Sequence, residues 1–417
     1  MRSYKNDLYG CDPYGTVYLD HAASTLSFKK CVGTGLEFLA DYGSIHRGAG
    51  YNSEISTERF EQARKEIEED LKCGEEASVI FTANTTDGIN RFALLYPFKA
   101  GDEVLISDIE HSSNTLPWVK RAKTVTIPSN ENFDVTPEAV EKALNEHPHA
   151  VIVALAASSN ITGNHIDWSG IYAICKAHKV LFFMDASQLA PHERVTMEMA
   201  DVIAYCGHKM YAPFGSGILA GPTALLSHAG FAPTGGGNVL YVYPDNTPIY
   251  KKAPFMHEAG TANGIGAVTL GEAHRILYHE YDQNELEMHN KELLLAMKKA
   301  GETLRENHYN VWFTDRTEHR SPIMVIDNQI KTNQETVKLL NLPMEGQVDR
   351  VFVREGAFCA YRIVERLKPE LSEIKDKIVH GELNHAYSLI RLSAGLGTDP
   401  EDIEKAVRKL VRINQNA

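Results

Sequence analysis

Between Ser78 and Ala220 the chain alternates short β-branched or apolar runs with helical stretches, and this alternation constrains the fold more than any other feature. The runs are SVIFTA, EVLISDI, TVTI, AVIVALAA, VLFFMDA, VIAYCG and GILAG. Strands that recur after helical segments predict an α/β fold, a mainly parallel sheet with helices on both faces. In such sheets ligands bind beyond the carboxyl ends of the strands, so the residues just after each run are the candidates for chemistry.

Further on, the pattern changes. Gly235-Gly236-Gly237 and the Pro- and Tyr-rich stretch from Tyr241 to Pro254 read as a long loop, and a helical pattern follows from about Ile265 to Glu302. Beyond it SPIMVID, RVFVRE and SLIRLSA read as strands, flanked by helices such as Pro400 to Ile413. A chain of 417 residues, 43% of them hydrophobic, is long enough for one large and one smaller domain. The expected division is a large domain over 15–280 and a small C-terminal α/β domain over 281–417, with residues 1–14 packing on the latter.

Lys and Arg number 42 against 55 Asp and Glu, a net charge of -13, which disfavours nucleic acid and anionic membrane surfaces as main partners. A small-molecule substrate fits better. The longest apolar runs, such as Val151 to Ala157, are far short of the ~20 residues of a membrane span, and MRSYKNDLYG has no apolar signal core, so a cytoplasmic protein is expected. The six cysteines lack CxxC pairs, which predicts neither a zinc site nor a disulfide framework.

Lys209 follows the apolar run Val202 to Tyr205 in Cys206-Gly207-His208-Lys209, ahead of the glycine-bearing Pro213-Phe214-Gly215-Ser216-Gly217. A lysine there is neutral, paired, covalently used or reaching out to water; a Schiff base to an aldehyde cofactor is one such use. Asp185 ends VLFFMDA, where a carboxylate can hold a pyridine nitrogen protonated or simply cap a helix. Thr85 and Thr86 open a helical pattern after SVIFTAN, a place for a phosphate or for plain capping. His111 and Asn160 also follow strands; an imidazole can stack on a flat cofactor and an amide can reach a ring hydroxyl. Gly33-Thr34-Gly35 lacks the third glycine of a dinucleotide fingerprint, and no phosphate-binding GxxxxGK[ST] loop occurs.

Read together, these segments resemble the class V aminotransferase family of fold-type I pyridoxal-phosphate enzymes, and within it the cysteine desulfurases and selenocysteine lyases. The matching stretches run in order along nearly the whole chain: YLDHAAST, HRGAGY, FTANTTDGIN, DIEHSSNTLPW, ASSNITGNH, MDASQ, GHKMYAPFGSG, HEAGTANG, VREGAFCA and IRLSAG. Colinear matches at consistent spacing are far more specific than any single one.

The resemblance implies that Lys209 is the Schiff-base lysine for pyridoxal 5′-phosphate and Asp185 the partner of its ring nitrogen. His111 would stack on the ring, and Asn160 and Gln188 would bond the ring oxygen. Thr85, Thr86 and His208 would hold the phosphate, with Cys206 where many relatives carry serine, and Thr261 would reach the phosphate of a neighbouring subunit, which implies a homodimer. Arg391 would grip the substrate carboxylate as a bidentate fork. Arg354, His46 and Ala23 complete the implied substrate site. Cys359 matches the loop cysteine that desulfurases use as nucleophile, taking sulfur from L-cysteine, or selenium from L-selenocysteine, as it leaves L-alanine. The spacing to Cys359 leaves little room for a long mobile loop, as in the group that uses a protein sulfur acceptor. The alternative is another pyridoxal-phosphate activity, an aminotransferase, a carbon-sulfur lyase or an epimerase, in which Cys359 is a packing residue beside Phe358. In the same motifs His21 replaces a frequent asparagine, and Ala357 and Phe358 replace polar residues.

Overall fold

A computed structural model describes residues 3–11, 16–228, 233–344, 350–370 and 388–416. Its centre is a seven-stranded sheet. In chain order the strands are β1 (Ala77–Thr82), β2 (Glu103–Ser107), β3 (Lys123–Ile127), β4 (Ala150–Ala156), β5 (Leu181–Asp185), β6 (Val202–Cys206) and β7 (Gly217–Pro222). Side by side they run β1-β7-β6-β5-β4-β2-β3. Only β7 points against the rest: it is antiparallel to both β6 and β1, while the other pairings are parallel.

Alternate residues of the central strands enter two different cores, which is why these runs are apolar at nearly every position. Val153, Leu155, Phe182 and Met184 pack into one face, and Ile152, Ala154, Phe183 and Ala204 into the other. Helices cover both faces because each crossover returns the chain to the start of the next parallel strand. The carboxyl ends of β1, β2, β4, β5 and β6 therefore share one edge.

A second, antiparallel sheet has four strands: β8 (Tyr309–Trp312), β9 (Ile323–Asn328), β10 (Arg354–Gly356) and β11 (Leu389–Ser393), arranged β8-β9-β11-β10. Its core takes in Val17 and Leu19, because the strand Val17–Tyr18 pairs with Val351–Phe352. Tyr4 and Leu8, in contrast, pack in the core of the larger sheet. The expected boundary at residue 15 lies outside the described residues.

Two local expectations need correction. The helix expected from Ile265 to Glu302 is two: Gly264–Arg275 runs into a π turn, Ile276–Glu280, and a new helix, Gln283–Glu306, starts at Asp282, whose carboxylate accepts the amides of Asn284 and Glu285. Within the stretch read as loop, Val239–Val242 and Pro248–Tyr250 pair as a hairpin, so that a Pro-rich, mostly exposed segment still satisfies its backbone groups. Among the described residues no helix is long and apolar enough to cross a membrane.

Candidate active site

At the common edge of the parallel strands lies a cavity of about 600 Å³. Its walls include Ala23, Thr85, Thr86, His111, Asn160, Asp185, Gln188, Cys206, His208, Lys209, Arg354, Cys359 and Arg391. Almost every residue that the sequence singles out for chemistry thus meets at one place. Two do not.

His46 has φ +61 and is turned onto the helix Tyr51–Asp70, where its amide donates to Thr57 Oγ1 and its Nε2 lies 2.7 Å from Glu61. It lines a separate small void with Arg47 and Glu258, not the cavity of its own chain. Thr261 is exposed and also stands outside the cavity.

The turn that carries Lys209 is fixed from behind. Strand β6 ends at Cys206 and a 3-10 turn, Gly207–Lys209, follows at once. Gly207 permits that close passage, since a β-carbon there would meet Ser216 Oγ at 2.5 Å. The His208 carbonyl accepts from the Thr25 amide at 2.8 Å and from the Ser24 and Thr25 hydroxyls, each at 3.1 Å. Lys209 itself has no hydrogen-bonding or ionic partner among the described residues, so its amine is available to the cavity.

The helix Thr85–Leu95 begins at the cavity wall with Asn84 as its cap, whose side chain accepts the Asp87 amide at 2.9 Å. Its free N–H groups and the Thr85 and Thr86 hydroxyls form a ready anion site. Those hydroxyls pair with Ser187 and Ser113, each at 2.7 Å. Asp185, 5% exposed, accepts the Ser187 amide at 3.0 Å.

His111 Nδ1 accepts the Ser113 amide at 3.1 Å, which leaves a proton on Nε2 in the neutral ring. Burial, reinforced by the nearby Lys209 and Arg391 charges, lowers the tendency of the ring to take a second proton; Asp185 opposes this. Behind it, Glu110 is buried and accepts from Ser107, Asn114 and the Ala156 amide. Burial pushes the Cys206 thiol up, but His208, 3.7 Å from its sulfur, Lys209 and Thr85 together outweigh it and hold the thiol below its ordinary value.

The opposite wall comes from the small sheet. Arg391 on β11 is 2% exposed; its guanidinium donates to the Asn160 carbonyl at 3.0 Å and to Asp20 at 3.3 Å, and its Nε has no partner. Burial lowers its pKa to about 10, so it stays charged at neutral pH. Arg354 donates to the other Asp20 oxygen at 3.1 Å. Cys359 is exposed at the cavity mouth rather than packed into a helix start.

Residues 17–406 match the family described as aminotransferase class-V. The chain belongs to that family. Among class-V relatives, a probable cysteine desulfurase of Borreliella burgdorferi is 30% identical over 272 residues, a match covering 62% of this chain and 64% of that protein, just under two thirds. A probable cysteine desulfurase of Aeropyrum pernix is 30% identical over 375 residues, covering 86% of this chain and 89% of that protein. The apo structure of a cysteine desulfurase from Thermococcus onnurineus superposes with a TM-score of 0.85 at 22% identity, covering 100% of this chain and 99% of that one, which establishes the class-V fold.

Asp20, Ser112, Ser113 and Ser187 carry no sign of a role in the sequence. Asp20 lies within the YLDHAAST motif, but nothing in a separation of 371 positions signals its contact with Arg391. The serines neighbour His111 and Asp185 and were visible only as ordinary loop residues.

Proposed function

We propose that this class-V chain is a cysteine desulfurase that works on pyridoxal 5′-phosphate carried by Lys209 and passes sulfur to Cys359. The observation that carries the reading is the presence of an exposed thiol, Cys359, at the mouth of the cavity that also holds Lys209, Asp185 and Arg391. The desulfurase names of the relatives support it.

The donor set fits the cofactor. The helix N-terminus with Thr85 and Thr86, together with His208, suits the phosphate; Asp185, buried and ionisable, suits a protonated ring nitrogen; and an unpartnered Lys209 amine suits an aldehyde. When bound, pyridoxal phosphate supplies an electron sink that labilises bonds at the α and β carbons of an amino acid.

The protein's own residues supply the rest. Arg391, already charged and only partly satisfied by Asp20, binds the substrate carboxylate. Lys209 holds or moves a proton at the substrate carbon. His111 would lie against the ring of a bound cofactor as a neutral imidazole whose Nε2–H is a donor. The Cys359 thiolate attacks the substrate sulfur: the S–S bond forms, the Cβ–S bond breaks, Cβ is protonated, and L-alanine departs. A thiol reductant or a protein acceptor then takes the sulfur from Cys359. L-selenocysteine enters the same scheme as a substrate. Thr261, exposed and outside its own cavity, fits a homodimer in which it serves the neighbouring site.

Sulfide and alanine are to be measured from L-cysteine with a reductant, in wild type and Cys359→Ala, beside the cofactor absorption band. Equal sulfide and alanine from wild type, with little from a variant that keeps its cofactor, is the expected result. Pyruvate and ammonia in place of alanine, or a fully active variant, would transfer the chain to the lyase or aminotransferase reading.

A further inference from the structure

The segment bearing Cys359 has an unusual backbone. Phe358 and Cys359 are consecutive non-glycine residues in the left-handed region, φ +52 and +56. Side chains disfavour that region, and two in succession persist only where neighbouring contacts hold them. The contacts here come from the loops of the large sheet. Asn160 Nδ2 donates to the Phe358 carbonyl at 2.8 Å. Ser112 donates twice to the Cys359 carbonyl, through its amide and its hydroxyl, each at 2.8 Å. Ser112 is also the residue next to His111, so the clamp on the thiol's own peptide unit is built on the loop that carries the imidazole of the cavity.

We infer that Ser112 is a positioning residue for Cys359, a two-donor clamp that fixes the thiol over the cavity by holding the carbonyl of the same residue. Loss of the clamp frees the peptide unit to leave the left-handed region, and the sulfur then spends little time where it can reach a substrate. Ser112 touches neither the carboxylate fork nor the anion site, so it acts on sulfur capture and not on substrate binding. This inference rests on the desulfurase reading only for its consequence in turnover; the clamp itself is a statement about the backbone.

The test uses the holoenzyme with three substitutions. Ser112→Thr keeps both donors, Ser112→Ala keeps the amide alone, and Ser112→Pro removes both. Proline is compatible with the local chain, because His111 before it is already extended at φ -66, ψ 145. Amide hydrogen exchange over residues 356–361 reads the clamp directly, and single-turnover appearance of the Cys359 persulfide, by mass spectrometry, reads its consequence. The expected order is wild-type behaviour for Thr, a loss of about 2- to 5-fold in persulfide rate for Ala, and about 10-fold or more for Pro with faster exchange. The cofactor absorption band and the KM for L-cysteine stay within about 2-fold, a split that a general folding defect would not give. Wild-type exchange and persulfide rate in Ser112→Pro would overturn the inference. Faster exchange in Ser112→Pro combined with no persulfide in wild type would instead sustain the clamp and sink the desulfurase reading.

Discussion

Arg354 and Arg391 stand directly opposite one another on adjacent antiparallel strands, and Asp20 reaches across to both, at 3.1 and 3.3 Å. Like charges in that register repel, and the shared carboxylate is what makes the pair tolerable. The two differ in burial: Arg391's side chain is 2% exposed and Arg354's 51%. Arg391→Lys removes a planar fork and is expected to cost about 2–3 kcal/mol, a 30- to 150-fold fall in kcat/KM for L-cysteine. Arg354→Ala is expected to cost under about 1 kcal/mol. Steady-state kinetics of both variants check the assignment, and equal losses would contradict it.

Arg391 also lies over the ring of Phe358, 4.8 Å from guanidinium carbon to centroid. Phe358→Leu keeps an apolar side chain and removes the π face, worth about 0.5–2 kcal/mol. KM for L-cysteine is expected to rise by about 2- to 30-fold as the fork loses its seat. An unchanged KM would show that the stacking does nothing for the substrate.

Glu110 gives the clearest pH signature. Burial pushes its carboxyl up from 4.5 to about 7, although hydrogen bonds from Ser107, Asn114 and the Ala156 amide pull the other way. Because the folded value is the higher one, the native state holds more protons between those limits. Its contribution to stability is therefore full below pH 4.5 and is lost as pH rises through about 7. Glu110→Gln lacks this slope. Urea unfolding at pH 5 and pH 8 should show the variant gaining up to about 3 kcal/mol on wild type between the two. A pH-independent difference would mean that Glu110 is ionised throughout.

Asn84→Ala removes the cap of the helix that faces the anion site. The expected loss is about 1 kcal/mol of stability. Frayed N–H groups also bind phosphate less well, so absorbance titration of apoprotein should show pyridoxal phosphate affinity falling while the thermal midpoint drops by only a few degrees. Unchanged affinity would place the phosphate elsewhere.

The central strands of the large sheet were readable because they are buried on both faces and so are apolar at nearly every position, while the half-exposed edge strand Lys123–Ile127 shows instead through its β-branched Thr, Val, Thr and Ile. Tyr309–Trp312 escaped notice because YNVW is four residues long and carries an exposed asparagine. The reversal of β7 left no trace either, since a buried strand has the same composition in either direction. In the site, Lys209, Asp185 and His111 were legible from their place after strands. The contacts of Asp20 and Ser112 were not, because each joins segments hundreds of residues apart, and a carboxylate or a hydroxyl in a loop carries no sign of a partner so distant in the chain. His46 was carried in by a motif, and its own backbone turns it toward Glu61 instead.

Lys209 follows a strand of the seven-stranded sheet and Arg391 lies on the four-stranded one, so on the proposed reading the two ends of an amino acid are held from two different sheets. The smaller sheet shares buried residues such as Val325 and Leu389 with the core of the larger. A substitution buried where the two sheets meet, far from any substrate atom, alters their spacing. Such a variant would retain its fold and its cofactor and still work slowly, and a screen for lost activity will find sites in that seam that no inspection of the cavity walls would nominate.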